Sequence, residues 1–115
     1  MSHDITDIES TAKALVADGK GILAADETPS TLTKRFDALG IGSTEGSRRT
    51  YREMLFTAPD AAAFISGVIM HDETIRQKSA SGAPLSQVLA SQGIVPGIKV
   101  DTGAKPLALA PGETV

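Results

Sequence analysis

Apolar residues recur along this chain at two spacings, and the alternation between those spacings predicts its elements. Ile5, Ile8, Ala12, Leu15 and Val16 fall on one helical face, so residues 5 to 16 read as a helix. Asp4 or Thr6 is available as its N-cap and Gly19 as its stop. Gly21 to Ala25 is apolar but too short for a helix, and it reads as a buried parallel strand. Residues 29 to 39 form a second predicted helix, with Thr28 as N-cap and Pro29 at the first helical position, where a missing N–H does no harm. Leu32, Phe36 and Leu39 share its inner face, and Gly40 closes it. A third helix is predicted over residues 44 to 57, capped by Thr44, with Tyr51, Met54 and Leu55 inward. Phe64 to Met70 reads as a second buried strand, residues 84 to 92 as a helix with Leu85, Val88 and Leu89 inward, and Gly97 to Asp101 as a third strand. The tail ALAPGETV reads as a loop.

Strands that alternate with helices imply parallel pairing with right-handed crossovers, hence an α/β fold. Residues 1 to 115 read as part of one domain, with no internal repeat and no second unit. Three parallel strands leave two open edges. A closed eight-stranded barrel takes ~250 residues. The pattern therefore fits either the N-terminal portion of a TIM (β/α)8 barrel or a small open α/β domain.

Composition narrows the function classes. Apolar residues make up 41% of the chain and charged residues 22%, as in ordinary soluble domains. With three Phe, one Tyr and no Trp, base stacking is disfavoured, and a net charge of -3 with interspersed signs disfavours general nucleic-acid binding. A local phosphate site remains open. The chain has no cysteine, so disulfides and thiolate metal sites are excluded within it. No apolar run approaches the ~18 residues of a membrane span, and the start MSHDITDIES is too polar for a signal peptide. The expectation is a cytoplasmic protein with no membrane or nucleic-acid partner.

In parallel α/β folds, ligand sites form at the carboxyl ends of the strands. Asp26 stands at that end of the first strand, where a carboxylate either relays protons and orients hydroxyls or serves only as a turn residue, alone or with Glu27. Thr28, Ser30 and Thr31 put hydroxyls at a helix start, which favours an anion, and Arg35 adds positive charge a turn further on. Plain capping beside a solvated Lys34–Arg35 pair accounts for the same residues. Lys99, inside the third predicted strand, is costly to bury unless it faces a phosphate or pairs with Asp101 two residues on. His71-Asp72-Glu73 matches no metal-ligand spacing and reads as a polar turn. Gly19-Lys20-Gly21 lacks the length and order of a phosphate loop.

The segments GKGILAADE, KRF, RRTYREMLFT, ISGVIM, QKSASGAPL and GIVPGIKVDTGAKPLA, in that order, closely resemble the N-terminal third of class I fructose-1,6-bisphosphate aldolase. The resemblance runs from about residue 15 to the end. It implies a TIM barrel, usually a cytosolic homotetramer, that reversibly cleaves fructose 1,6-bisphosphate to dihydroxyacetone phosphate and glyceraldehyde 3-phosphate. It implies no metal and no other cofactor: a lysine forms an imine with the ketone, and the protonated imine accepts the bonding electrons. Position by position, Asp26 matches the first-strand aspartate that assists at the hydroxyls beside the broken bond. Thr28 and Thr31 match serines that contact a substrate phosphate, Arg35 a substrate-binding arginine, and Lys99 a lysine at the phosphate remote from the imine. Where the family more often reads ADEST-G, this chain reads ADETPST, and Pro29 withholds an amide. None of Lys13, Lys20, Lys34, Lys78, Lys99 and Lys105 matches the imine lysine, which lies further along in the family. The expectation is that these residues alone are inactive. The alternative is a non-catalytic sugar-phosphate-binding or assembly module.

Overall fold

Local rules place the helices. In the computed structural model, which describes residues 5–115, the first helix α1 spans Ile5–Leu15, followed by strand β1 at Gly21–Ala25 and helix α2 at Pro29–Ala38. Thr28 caps α2 by accepting from the Thr31 N–H, and Pro29 occupies the first turn. At the other end the Gly40 N–H donates to the Asp37 carbonyl and the Ile41 N–H to the Phe36 carbonyl, with Gly40 at φ 71. This is the paired closure that needs a left-handed residue after the helix. Helix α3, Glu45–Phe56, opens on a capping box: the Thr44 hydroxyl accepts from the Ser47 N–H at 3.0 Å, and the Ser47 hydroxyl accepts from the Thr44 N–H at 2.8 Å. A single-turn helix α4 at Ala61–Phe64 leads into strand β2, Ile65–Met70. Helix α5 at Asp72–Ile75, helix α6 at Leu85–Ala90 and strand β3 at Val95–Ile98 complete the order.

The three strands form one parallel sheet in the order β1-β2-β3. The register of β1 against β2 slips once, between Gly21 and Ile22. The extra residue, Ser66, spends its hydroxyl on the Leu15 carbonyl at 2.6 Å. Beyond that bulge the two faces separate cleanly. Ala25, Val68 and Met70 pack with Phe56 of α3, with Leu85 and Leu89 of α6, and with Ile94 into the buried core. Ile22, Ala24, Gly67, Ile69, Val95 and Gly97 share the opposite face by strand alternation and register. On that face Leu15 brings α1 close to the sheet. A Cβ on Gly67 would sit 2.6 Å from the Leu15 Cδ2, so glycine is what permits the approach.

Several sequence expectations change. Asp4, one suggested cap of α1, lies outside the described residues, and Thr6, the other, lies inside the helix. Ile5, Ile8 and Val16 are exposed, because only the Leu15 end of α1 reaches the sheet. Leu39 is exposed as well, since it is the C-cap and has left the stripe of Leu32 and Phe36. In α3 the buried residues are Arg52 and Phe56, at 2% and 1% exposure; Leu55 packs against the core and Tyr51 against Phe36 as expected, while Met54 is 55% exposed. Met54 lies two residues from each, roughly 200° round the helix. Phe64 ends α4 instead of starting β2 and is exposed. Strand β3 starts two residues before the expected Gly97 and ends at Ile98, because β2 offers no partner after Met70. The tail is an antiparallel turn: the Lys105 N–H donates to the Val115 carbonyl at 2.7 Å, the Val115 N–H to the Lys105 carbonyl at 2.8 Å, and the Leu107 N–H to the Glu113 carbonyl at 2.9 Å. No helix among the described residues is long and apolar enough to cross a membrane.

The inner face of α3 yields a direct test. Phe56→Ala is expected to lower stability by about 3–5 kcal/mol, whereas Met54→Ala stays within roughly 0.5 kcal/mol. Urea-unfolding midpoints of the two variants decide it, and equal losses would contradict the orientation of α3.

Candidate active site at the carboxyl edge of the sheet

Strand alternation decides what the two adjacent carboxylates do. Asp26 follows Ala24 by two residues and continues the face of Ile22 and Ala24, while Glu27 continues the core face of Leu23 and Ala25. Lys99 follows Gly97 and continues the same face as Asp26. The strands that carry them, β1 and β3, flank β2, so only a long side chain can reach across. The Lys99 Nζ does so, lying 3.8 Å from the Asp26 Oδ2, with side-chain exposures of 31% and 28%.

Lys99 therefore sits just past the strand rather than within it, held by its N–H donating to the Met70 carbonyl at 2.9 Å. The Lys99–Asp101 pair, one of the two readings of Lys99, does not form: Lys99 meets Asp26, while the Asp101 Oδ1 accepts from the Gly103 N–H at 3.0 Å. β3 ends at Ile98, so the strand alternation that would set Asp101 beside Lys99 no longer applies.

A cleft of about 710 Å3 opens at this edge, lined among others by Thr28, His71, Asp72, Lys99 and Asp101. His71 caps α5 by accepting the Glu73 N–H on Nδ1, so the polar turn expected at 71–73 is a helix start. Among the described residues no group of three or more His, Asp or Glu is arranged to hold a metal ion. The Thr28 Oγ1 lies 3.0 Å from the Ser30 Oγ and 3.1 Å from the Thr31 Oγ1, giving a cluster of hydroxyls at the start of α2. Thr28 and Lys99 line the cleft; Asp26, Thr31 and Arg35 are not among its lining residues. Arg35, 59% exposed, pairs with Glu27 instead.

Behind the cleft lies a network that sequence reasoning missed. The guanidinium of Arg52, buried against Tyr51 with 5.7 Å between Cζ and the ring centroid, donates through NH1 to the Glu27 Oε1 at 2.8 Å and through NH2 to the Glu27 carbonyl at 2.8 Å. Its Nε donates to the Thr74 Oγ1 at 3.3 Å. One turn earlier, Arg48 makes a two-point contact with Glu73, at 2.8 and 3.0 Å. The available signal was spacing: Arg48, Arg52 and Phe56 are four apart and form one stripe of α3.

Charge follows this arrangement. Burial pushes the Glu27 carboxyl up, but its own backbone N–H and the Arg52 and Arg35 guanidinia outweigh that and hold it below the usual carboxylate value. The hydrogen bond from Arg48 holds Glu73 below its usual value too, against a smaller effect of burial.

The family model described as fructose-bisphosphate aldolase class-I matches residues 7–115. The chain belongs to the class I fructose-bisphosphate aldolase family. It is 55% identical over 111 residues to a probable class 1 fructose-bisphosphate aldolase of Xanthomonas campestris, covering 96% of this chain and 33% of the relative. It is 50% identical over 108 residues to fructose-bisphosphate aldolase 1 of Caenorhabditis elegans, covering 93% of this chain and 30% of the relative. A solved aldolase from Plasmodium falciparum, in complex with TRAP and a small-molecule inhibitor, superposes with a TM-score of 0.85 at 41% identity, covering 95% of this chain and 31% of that one. The aldolase stretch described here thus spans about a third of the length of the curated relatives it matches.

The lowered carboxylates set an acid limit. Both Glu27 and Glu73 lie below the ordinary value of 4.5 when folded, so each stabilises the fold above that pH and stops doing so as pH falls through its lowered value. Melting temperature is expected to fall steeply only below about pH 4.5, and Glu27→Gln to remove part of that slope. An unchanged acid slope in Glu27→Gln would break the assignment.

Proposed function

We propose that the complete protein carries out reversible aldol cleavage of fructose 1,6-bisphosphate to dihydroxyacetone phosphate and glyceraldehyde 3-phosphate through a lysine imine. The observation that carries this reading is the meeting of Asp26 and Lys99 at the carboxyl edge of a parallel sheet in a chain of the aldolase family. The sheet then supplies the first three strands of a TIM barrel. Its face of Ile22, Ala24, Gly67, Ile69, Val95 and Gly97 becomes part of the barrel interior, which alternating strand residues fill in layers.

The chemistry divides between this stretch and the remainder of the chain. A lysine beyond these residues adds to the substrate ketone with loss of water, giving a protonated imine. Asp26 accepts a hydrogen bond from the hydroxyl next to the scissile bond and assists removal of its proton. The carbon–carbon bond then breaks, its electrons flow to the imine, and the aldehyde product departs. Protonation of the resulting enamine and addition of water to the imine release the ketone product and regenerate the amine.

Thr28, Thr31, Arg35 and Lys99 receive the phosphate remote from the imine. Hydroxyls at the start of α2 donate to its oxygens where the helix end favours an anion. Lys99 exchanges Asp26 for phosphate at small cost, since a partly exposed pair at this separation contributes only ~0–1 kcal/mol. Arg35 joins them by leaving Glu27, which keeps Arg52 as its partner. The family reading further implies a cytoplasmic homotetramer that requires no metal.

The test uses the complete chain. Wild type is expected to cleave fructose 1,6-bisphosphate and to trap one dihydroxyacetone phosphate adduct on borohydride reduction, outside residues 1–115 by peptide mapping. Asp26→Asn is expected to lower kcat by roughly 100-fold or more, and Lys99→Ala to act mainly on KM. A stretch ending at Val115 is expected to cleave nothing. An adduct on one of its six lysines, or cleavage by that stretch, would overturn the division of roles.

A further inference from the structure

Resting on the aldolase reading, we propose that Arg52 is a positioning residue for the remote-phosphate end of the site, fixing the corner that carries Asp26 and Thr28. The corner has three consecutive residues with different duties. Asp26 meets Lys99, Thr28 lines the cleft and caps α2, and Glu27 between them turns to the core side. The Glu27 carboxylate also pairs with Arg35, 59% exposed, which makes no contact with the Glu27 backbone carbonyl among the described hydrogen bonds.

Its fixed point is Arg52, which takes both the backbone carbonyl and the carboxylate of Glu27, each at 2.8 Å. A carbonyl contact restrains the peptide itself and therefore the directions in which residues 26 and 28 leave it. The same guanidinium is anchored on its far side by the Thr74 hydroxyl at 3.3 Å, in the helix that follows β2. Arg52 thus ties the β1–α2 corner to the β2–α5 corner, whose capping residue His71 lines the same cleft. Its geometry is that of a planar fork with three donors in use, which an ammonium cannot reproduce.

A merely structural arginine would alter stability and the amount of active protein. A positioning arginine alters how well the protein distinguishes substrates. Thr28 and Lys99 address the phosphate that fructose 1-phosphate lacks, so loosening the corner is expected to harm cleavage of fructose 1,6-bisphosphate more. In the complete aldolase, Arg52→Lys is expected to lower kcat/KM for fructose 1,6-bisphosphate roughly 10- to 100-fold, the scale of a small misplacement. The loss for fructose 1-phosphate is expected to be several-fold smaller. Thr28→Val combined with Arg52→Lys is expected to lose less than the product of the single losses, because both act at one contact.

Should Arg52→Lys not fold, Thr74→Val carries the test, since it removes the Nε anchor and Thr74 is not itself among the cleft-lining residues. It is expected to shift the ratio of the two substrates' kcat/KM values in the same direction. A ratio equal to wild type in the variant that folds, whatever its melting temperature, would overturn the proposal. Absence of fructose 1,6-bisphosphate cleavage by wild type would instead overturn the functional reading beneath it.

Discussion

The buried guanidinium of Arg52 is the constraint around which this part of the fold is arranged. A cation taken out of water costs several kcal/mol unless its donors and its charge are both satisfied. Here Nε, NH1 and NH2 each have an oxygen partner, Glu27 supplies the opposite charge, and the Tyr51 ring lies 5.7 Å away. Those partners come from the β1–α2 corner, from α5 and from α3 itself. Satisfying one side chain therefore requires three segments to hold fixed places. Arg48 and Glu73 repeat the stitch one turn along, so α3 is braced to α5 twice and to the end of β1 once.

That brace explains why two adjacent acids at one strand end are not interchangeable. Strand alternation turns Asp26 to the open face and Glu27 to the core face. On the core face a carboxylate survives only against the buried arginine. On the open face it keeps partial solvent and meets Lys99, which spans the middle strand to reach it. The same alternation places His71 after Ile69 at the cleft and leaves Met70 in the core.

Much of this was legible in the residues. The Gly21–Ala25 strand, the Thr28 and Thr44 caps, Pro29 in the first turn and the parallel order all follow from local rules, and the structure has them. Helix α3 shows where such rules stop. An apolar pattern cannot assign a charged side chain to the interior, so it points to the exposed Met54 and passes over Arg52, whose burial depends on Glu27 and Thr74, each more than twenty positions away. Helix α1 shows the converse: its apolar face is plain in the sequence, yet Ile5, Ile8 and Val16 are exposed, because amphipathicity records a need for burial and not what meets it. Flanked by Ile98 and Val100, Lys99 reads in the sequence as part of a strand. The strand ends where β2 runs out of partners, and that register is a property of two strands together. The family resemblance reached Asp26 and Lys99 as separate positions, and only the fold brings them to 3.8 Å.

The two charge pairs at this edge differ in kind. Arg52–Glu27 is short, buried on the arginine side and reinforced through a backbone carbonyl, so breaking it strands a cation without water. Lys99–Asp26 is longer and about one-third exposed on each side, so either group can leave for water or for an incoming anion or hydroxyl at little cost. Arg35, on the outer side of Glu27, is equally free to leave because Arg52 remains. The firm pair thus holds the backbone of the β1–α2 corner, while the looser pairs, of which Lys99 lines the cleft, can change partners without disturbing it.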